Sequence, residues 1–598
     1  MKRAIGFVAS GIMAGIIGLL PPPAAAAESA VSARVAADLK ARPDLAAAPV
    51  VWYAVPAMSD LMRLPGVYPA DGQFAADLRI VAAQDEYEPA SFLLYPLKSL
   101  DKAELKVSDL KGPAGAVLSR ESLDLKVVKV WYQNGNGWFS YFSDVGLKLV
   151  PELLLNDETL ITVDTARQAN YARVNEPGGS RQVWISPPRR LDTGFDAFSP
   201  AFADARTLQP VALPAGAFKQ FMLTAHVARG VKPGVYRGQV ELVAGGKAVA
   251  SIPVALRVLP FELPLPATRF DLSRNFIVSL MGAWPKLSPD HPAFLPTLKN
   301  LRRHNILHLG PNCGPDTPKD EAKKRVAAMK EAGFETHPIL GGSLPWLGEH
   351  DGTPLTFDEL MGFKRSAVSW KKFYMEHFGH TDAALGLGDE QGASWVAKTR
   401  PAWRLVHEQG MKVDLAGHSH YFYKGGYMLD IYPAAGSPEE LEKPRPWNEV
   451  GFTAVGFYAS QHNGSENPSF VRRQHGLLGY LSNYSMVDNY EFAYGPWNDL
   501  ANDLYKPMVL AYPTGQGLVD TLAWEGFREG IDDIRYATRL HLLAQEAIQS
   551  GKLDRIYAGR KVLQWFALMK GAEVDLNAVR AEMVEKILNL MTLSETVR

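Results

Sequence analysis

The sequence predicts a β-sandwich N-terminal domain, then a (β/α)8 TIM barrel, then a C-terminal helical extension. Three observations carry that expectation. Apolar and polar residues alternate with period two through much of the first 265 residues, the mark of half-buried strands. From residue 270, strand-like and helix-like segments alternate over roughly 250 residues, the span of a barrel of eight units. After Thr521, Trp524, Phe527, Ile531 and Ile534 recur at helical spacing.

At 598 residues the chain exceeds what one core usually organises. The expected boundaries are 1–27 for a signal peptide, 28–48 for a polar, Ala-rich leader, 49–265 for the sandwich, 266–520 for the barrel and 521–598 for the helices. In the sandwich, Leu123, Leu125, Val127 and Trp131 share one face of a strand. Phe221, Leu223, Ala225 and Val227 alternate with Gln220, Thr224 and His226, and Ile252, Val254, Leu256 and Val258 follow suit. Asn134-Gly135, Lys232-Pro233-Gly234 and Gly245-Gly246 supply turns between antiparallel strands. Residues 175–217, rich in Pro, Gly and Arg, read as a long surface loop. The aromatics Trp131, Tyr132, Trp138, Phe139, Tyr141 and Phe142 read as packing against a neighbouring domain rather than as a sugar platform. Asp85-Glu86-Tyr87-Glu88 reads as structural.

Barrel strands are expected at 270–280, 305–312, 334–342, 383–389, 412–420, 427–433, 452–460 and 485–494. Phe294, Leu298 and Leu301 mark the stripe of one intervening helix, and Ala322, Val326 and Met329 that of the next. The charges in Arg528-Glu529-Gly530-Ile531-Asp532-Asp533 read as helix-surface and interdomain pairs.

Met1-Lys2-Arg3, the apolar run 4–20 and the small residues Ala24 to Ala27 predict a signal peptide and export, to the periplasm or beyond the cell, with no membrane span in the mature chain. The single Cys313 forbids an internal disulfide, so the cores must stabilise the protein. A formal net charge of −1 with no basic block argues against a nucleic-acid partner. No cofactor motif stands out.

Residues 383–392 form the functional centre of the sequence. A small apolar run ends in Asp389 and Glu390, with glycines at 386, 388 and 392. Strand neighbours point to opposite faces, so the two acids share a pocket only where strand breaks into loop. The competing reading is an acidic helix N-terminus. In a (β/α)8 barrel, catalytic groups sit at the C-terminal ends of strands. Those ends offer Asp389, Glu390, His418, His420, Asp430, Tyr432, Tyr458, Asn489, Glu491 and Tyr494, with Trp346 and Trp497 on adjoining loops to stack on a sugar. The set is acidic, aromatic and amide-rich, as a glycan or glycoside substrate requires. His418-x-His420 lacks a clear third ligand, so no metal is expected.

Gly388-Asp389-Glu390, closing the expected fourth strand, resembles the catalytic motif of glycoside hydrolase family 123 and its relatives of unknown function. The stretch from Trp524 through Arg528 and Asp532-Asp533 to Tyr536, and the Val231-to-Gly238 turn, are similar to other patches of that group. The resemblance covers about residues 75–543, and only these three patches are specific. It implies a β-sandwich plus barrel and a retaining, metal-free β-N-acetylgalactosaminidase working by substrate assistance. One departure is Gln391, where family members often carry Pro.

The residues themselves suit such chemistry. Ordinary retaining glycosidases place two carboxylates about 5–5.5 Å apart, commonly with one on strand seven, but 452–460 contains no acid. Adjacent acids suit a substrate whose 2-acetamido oxygen attacks, with Asp389 orienting that group and Glu390 as acid and base. Two other readings stay open. One is a retaining glycosidase for another sugar, pairing Glu390 with Glu491 or Asp430. The other is a non-catalytic carbohydrate-binding envelope protein.

Overall fold

The computed structural model describes residues 24–135, 137–139, 146–187, 193–282, 287–345, 354–417, 425–438, 444–450, 453–458, 466–492, 497 and 509–595. It is strand-rich, with a curled parallel sheet behind a sandwich and helices at the C-terminus.

The alternation in the front half builds two sheets that face each other across one core. The larger has eight strands, centred on Glu86–Pro96, Lys219–Val227, Leu123–Asn134 and Leu147–Leu155. Phe221 pairs with Phe92 on one side and Val127 on the other, and the two phenylalanine rings stack at 5.4 Å. The second sheet rests on Leu100–Val107, Gly234–Ala244 and Lys247–Glu262. Tyr236, Val240, Ile252, Val254 and Leu256 turn its inner face toward Phe92, Val127 and Phe221. The pairing is antiparallel except where Lys247–Glu262 runs parallel to Leu78–Gln84.

Three details depart from expectation. A helix, Ala24–Ala41, starts in the residues expected to end the signal peptide and runs through most of the expected leader. Its Val31 and Val35 are buried on Tyr53, Tyr95 and Phe218, so the Ala-rich stretch docks on the sandwich. The 175–217 stretch is not simply a loop, because Ala169–Glu176 and Gly179–Trp184 pair as a hairpin in a small three-stranded sheet. A second hairpin, Ala511–Thr514 with Gly517–Thr521, falls at the end of the expected barrel segment. It leaves the rear half and extends the large front sheet, with Asp520 opposite Leu154.

The rear half supplies five parallel strands, Ile339–Ser343, Ala383–Asp389, Lys412–Ala416, Ile431–Ala434 and Ala454–Phe457, in sequence order across the sheet. A further parallel pair, Ile277–Val278 with Met486–Val487, joins their edge through Ser485 N–H to Val455 O (3.0 Å) and Asp488 N–H to Phe457 O (3.0 Å). Leu385, Val413, Leu415, Val455 and Phe457 face outward onto the helices. Ile277, Ala384, Ile431, Ala454 and Met486 face inward and meet one another, which requires the sheet to curl. The expected strand at 305–312 is not regular. It is extended chain that hands Leu307 and His308 N–H groups to Val278 O. The Phe294–Arg303 and Lys319–Glu331 helices bury the stripes read from the sequence. Phe357–Phe378 opens with a Thr356–Glu359 capping box and closes on Gly379 at φ 79°.

The helix Leu522–Gln549 lies between the halves. Its Glu525, Arg528, Glu529, Asp532 and Asp533 are each 4 % exposed or less, so they are core residues rather than helix-surface pairs. Arg472 and Arg580 both bind Asp533. Tyr536 donates to Glu86, and Arg580 reaches Glu88, tying helix to sandwich. Among the described residues, no helix is long and apolar enough to cross a membrane.

Candidate active site

Asp389 is the last residue of its strand, and Glu390 follows in the left-handed region at φ 50°. That conformation costs a non-glycine residue roughly 1–3 kcal/mol, and such positions cluster at functional sites. It breaks the strict alternation at the point where both carboxylates need a common rim. Glu390 N–H still donates to Ala416 O at 3.0 Å, anchoring the turn to the next strand. Gly392 then caps the Ala393–His407 helix. Both acids are exposed.

Tyr458 extends one residue past the Ala454–Phe457 strand, and its hydroxyl donates to Glu390 Oε1. Its ring is buried against Ala416, Met281 and Ala435. The ends of three strands, Ala383–Asp389, Lys412–Ala416 and Ala454–Phe457, therefore converge on Glu390, and the structure brings the expected site residue Tyr458 into direct contact with it. Glu491 is buried, and its carboxylate lies against Gly282. Gly282 adopts φ 66°, and a side chain there would collide with Glu491 Oε1.

Other expected site residues lie elsewhere. Asp430 precedes its strand, Ile431–Ala434, instead of closing it. Its carboxylate accepts from Val413 N–H at 2.7 Å and contacts His407 Nε2 at 2.7 Å, at the N-terminal edge and away from Glu390. The strand is shorter than expected, which moves Asp430 off the rim. Tyr432 points outward and packs on Trp447 at 5.0 Å. Asn489 points outward to His475 Nε2 at 3.2 Å. Trp497 is 1 % exposed inside the sandwich core. Trp131, Phe202 and Tyr512 surround it, leaving no face for a sugar. Trp346, His418, His420 and Tyr494 lie outside the described residues.

Two further acids, absent from the expected strand ends, face inward below the rim: Asp414 and Asp488. Burial, then Asp488, then Asp389 raise the Asp414 carboxyl to about 7. Burial likewise raises Asp488 to about 7, against the hydrogen bond from Asn489 N–H at 2.7 Å. An aspartate between Val413 and Leu415 was the available signal.

At the junction of the halves, His304, Asp520 and Glu525 come within ligand reach of one another. Asp520 already faces Lys126 at 3.2 Å and Asn300 at 2.6 Å, and Arg528 binds Glu525. These cations neutralise the two carboxylates, so the donor set is a salt-bridge network that does not fit a metal.

No protein-family model and no curated protein matches the chain. Among solved structures, it is similar to a family 123 glycoside hydrolase from Clostridium perfringens described for glycolipid glycan hydrolysis, at TM-score 0.62 and 11% identity. The match covers 91% of this chain and 100% of that one, and it shows a shared fold. A family 2 glycosyl hydrolase from Bacteroides cellulosilyticus (TM-score 0.25, 9% identity, covering 74% and 64%) and a Bacteroides ovatus family 5 xyloglucanase (0.26, 6%, 76% and 98%) are too distant to add to it.

Proposed function

We propose that the protein is an exported glycoside hydrolase that releases a 2-acetamido sugar of the β-N-acetylgalactosamine type by a retaining, substrate-assisted route. In this reading the curled sheet is a (β/α)8 barrel with its site at the C-terminal rim. The observation that carries it is Glu390, turned at the strand end beside Asp389 and held by the Tyr458 hydroxyl. The resemblance of the Gly388-Asp389-Glu390 motif and the shared fold support the same reading.

The acetamido carbonyl oxygen attacks the anomeric carbon as the glycosidic C–O bond breaks. Glu390 passes its proton to the departing oxygen. Asp389 accepts from the acetamido N–H and stabilises the oxazolinium cation. Water then attacks the anomeric carbon, Glu390 takes the water's proton, and the acetamido group is regenerated with net retention. Tyr458 fixes the Glu390 carboxyl in the rotamer needed for both transfers, the positioning on which general acid–base catalysis depends. Glu491, buried beside Gly282, is the remaining partner for a two-carboxylate alternative.

Chromogenic monosaccharides, paired with and without the 2-acetamido group, test the reading. Turnover confined to the 2-acetamido member is expected. Equal turnover of both members points to two protein carboxylates, and no turnover of any glycoside or glycolipid glycan rejects a glycosidase. Export is tested by finding the chain outside the cytoplasm without residues 1–27.

A further inference from the structure

Val413 and Leu415 join the outer core with the helices, so Asp414 between them points inward. It pairs with Gly386 on one side and Ile431 on the other. A Cβ at Gly386 would meet only Gly342 O, at 3.5 Å, which leaves room beside the carboxylate. Asp414 Oδ1 is enclosed and has no hydrogen-bond partner among the described residues. Asp488 follows inward-facing Met486 by two residues and is 5 % exposed. Two residues above Asp414 is Ala416, whose carbonyl holds Glu390 N–H and whose methyl touches Tyr458. Asp414 thus lies one layer beneath the acid pair.

Among the described residues, no cation balances this position. The charged groups acting on Asp414 are Asp488 across the interior and Asp389 above it. Lys412, the next inward residue on the same strand, is paired with Asp382. The facing positions on neighbouring strands are Gly386, Ile431, Gly456 and Ser279, and Glu390 and Tyr458 lie in the layer above.

We propose that Asp414 is a positioning residue acting through Asp389: as a neutral acid it leaves Asp389 in place against the acetamido group, and as a carboxylate it drives Asp389 off by like-charge repulsion. This rests on the substrate-assisted reading above. Burial and the two neighbouring acids favour the neutral form up to about pH 7. The active form of the site is the one in which Asp414 keeps its proton.

The test uses the full-length protein and a 2,4-dinitrophenyl 2-acetamido glycoside, whose leaving group needs no proton from Glu390. Between about pH 6 and pH 8.5 the wild type is expected to lose about tenfold or more in kcat/KM as a group near neutrality ionises. In Asp414→Asn that fall should shrink to less than about threefold over the same range. Asp488→Asn removes a like charge, so the Asp414 carboxyl drops and the fall should begin at lower pH. Infrared difference titration of the carboxylic acid band reads the same proton without turnover. That band should shrink near neutrality in the wild type, and in Asp414→Asn it should lack the Asp414 share while that of Asp488 remains. Profiles that superimpose for all three proteins, or an unaltered acid band in Asp414→Asn, overturn the proposal. Absence of turnover in the wild type would reject the glycosidase reading alone, because the infrared titration still reports on Asp414. If Asp414→Asn does not fold, the Asp488→Asn shift decides.

Discussion

Removing Arg580 should loosen the joint between the halves, by an amount that grows with pH. The guanidinium, on the Leu576–Glu595 helix, binds Asp533 at 2.7 Å, Glu88 at 3.0 Å, and both the carboxylate and the backbone carbonyl of Glu529. In Arg580→Met, Asp533 keeps Arg472, but Glu529 and Glu88 lose a buried counter-charge. Breaking a buried pair from one side costs about 3–5 kcal/mol. Burial already raises Glu88 and Glu529, and Arg580 opposes the rise in both. Without it both carboxyls go higher still, so the folded state binds more protons than the unfolded one. Stability of the variant relative to wild type is then greatest at acid pH and falls as pH rises through the raised folded values. Urea unfolding followed by tryptophan fluorescence at about pH 5 and pH 8 measures this, with the deficit near 3–5 kcal/mol at the higher pH and clearly smaller at the lower. A deficit below about 1 kcal/mol, or one equal at both pH values, would refute the argument that these charges are interdependent.

Trp497→Ala should cost about 3–5 kcal/mol of stability through the cavity left among Trp131, Phe202 and Tyr512, with KM unchanged in the folded fraction; a raised KM at wild-type stability contradicts that. Tyr458→Phe should lower kcat by roughly ten- to a hundredfold, the worth of a hydrogen bond to a charged group, with little change in thermal midpoint. Asp430→Asn should leave the dependence of rate on leaving group unaltered, since Asp430 braces Val413 and His407 at the far edge of the sheet; a variant whose defect tracks leaving-group pKa would restore it as a candidate partner.

Period-two alternation made the sandwich legible, because each strand there buries one face and the inward residues, such as Phe221, Leu223 and Val254, have no polar substitute. The parallel strands were legible as apolar runs, but their ends were not. The apolar run at 427–433 puts Asp430 and Tyr432 at a strand's rim, whereas the strand begins only at Ile431. The place of Trp497 in the sequence puts it beside the site, whereas the chain there has already turned back to the sandwich core, whose front sheet Ala511–Thr514 and Gly517–Thr521 then extend. Long-range returns of this kind leave no local periodicity. The charges from Arg528 to Asp533 read as helix-surface and interdomain pairs, and their burial leaves no local signal because the partners of Glu529 and Asp533, Arg472 and Arg580, are distant in sequence. The break from strand to loop at Asp389–Glu390 is legible because a small apolar run ends there in two acids with glycine at 392, and Tyr458 lies one residue past its strand, near where the sequence puts that strand's end.

The most direct test of the account is the leaving-group dependence of Glu390→Gln. Values of kcat/KM are compared with wild type for two 2-acetamido glycosides, one with an alkyl and one with a 2,4-dinitrophenyl aglycone. If Glu390 supplies the proton, the alkyl glycoside should lose about 10²-fold or more, while the dinitrophenyl glycoside, whose departure needs no proton, loses much less. Equal losses on both substrates, or no loss on either, would contradict the assignment of Glu390 as the acid.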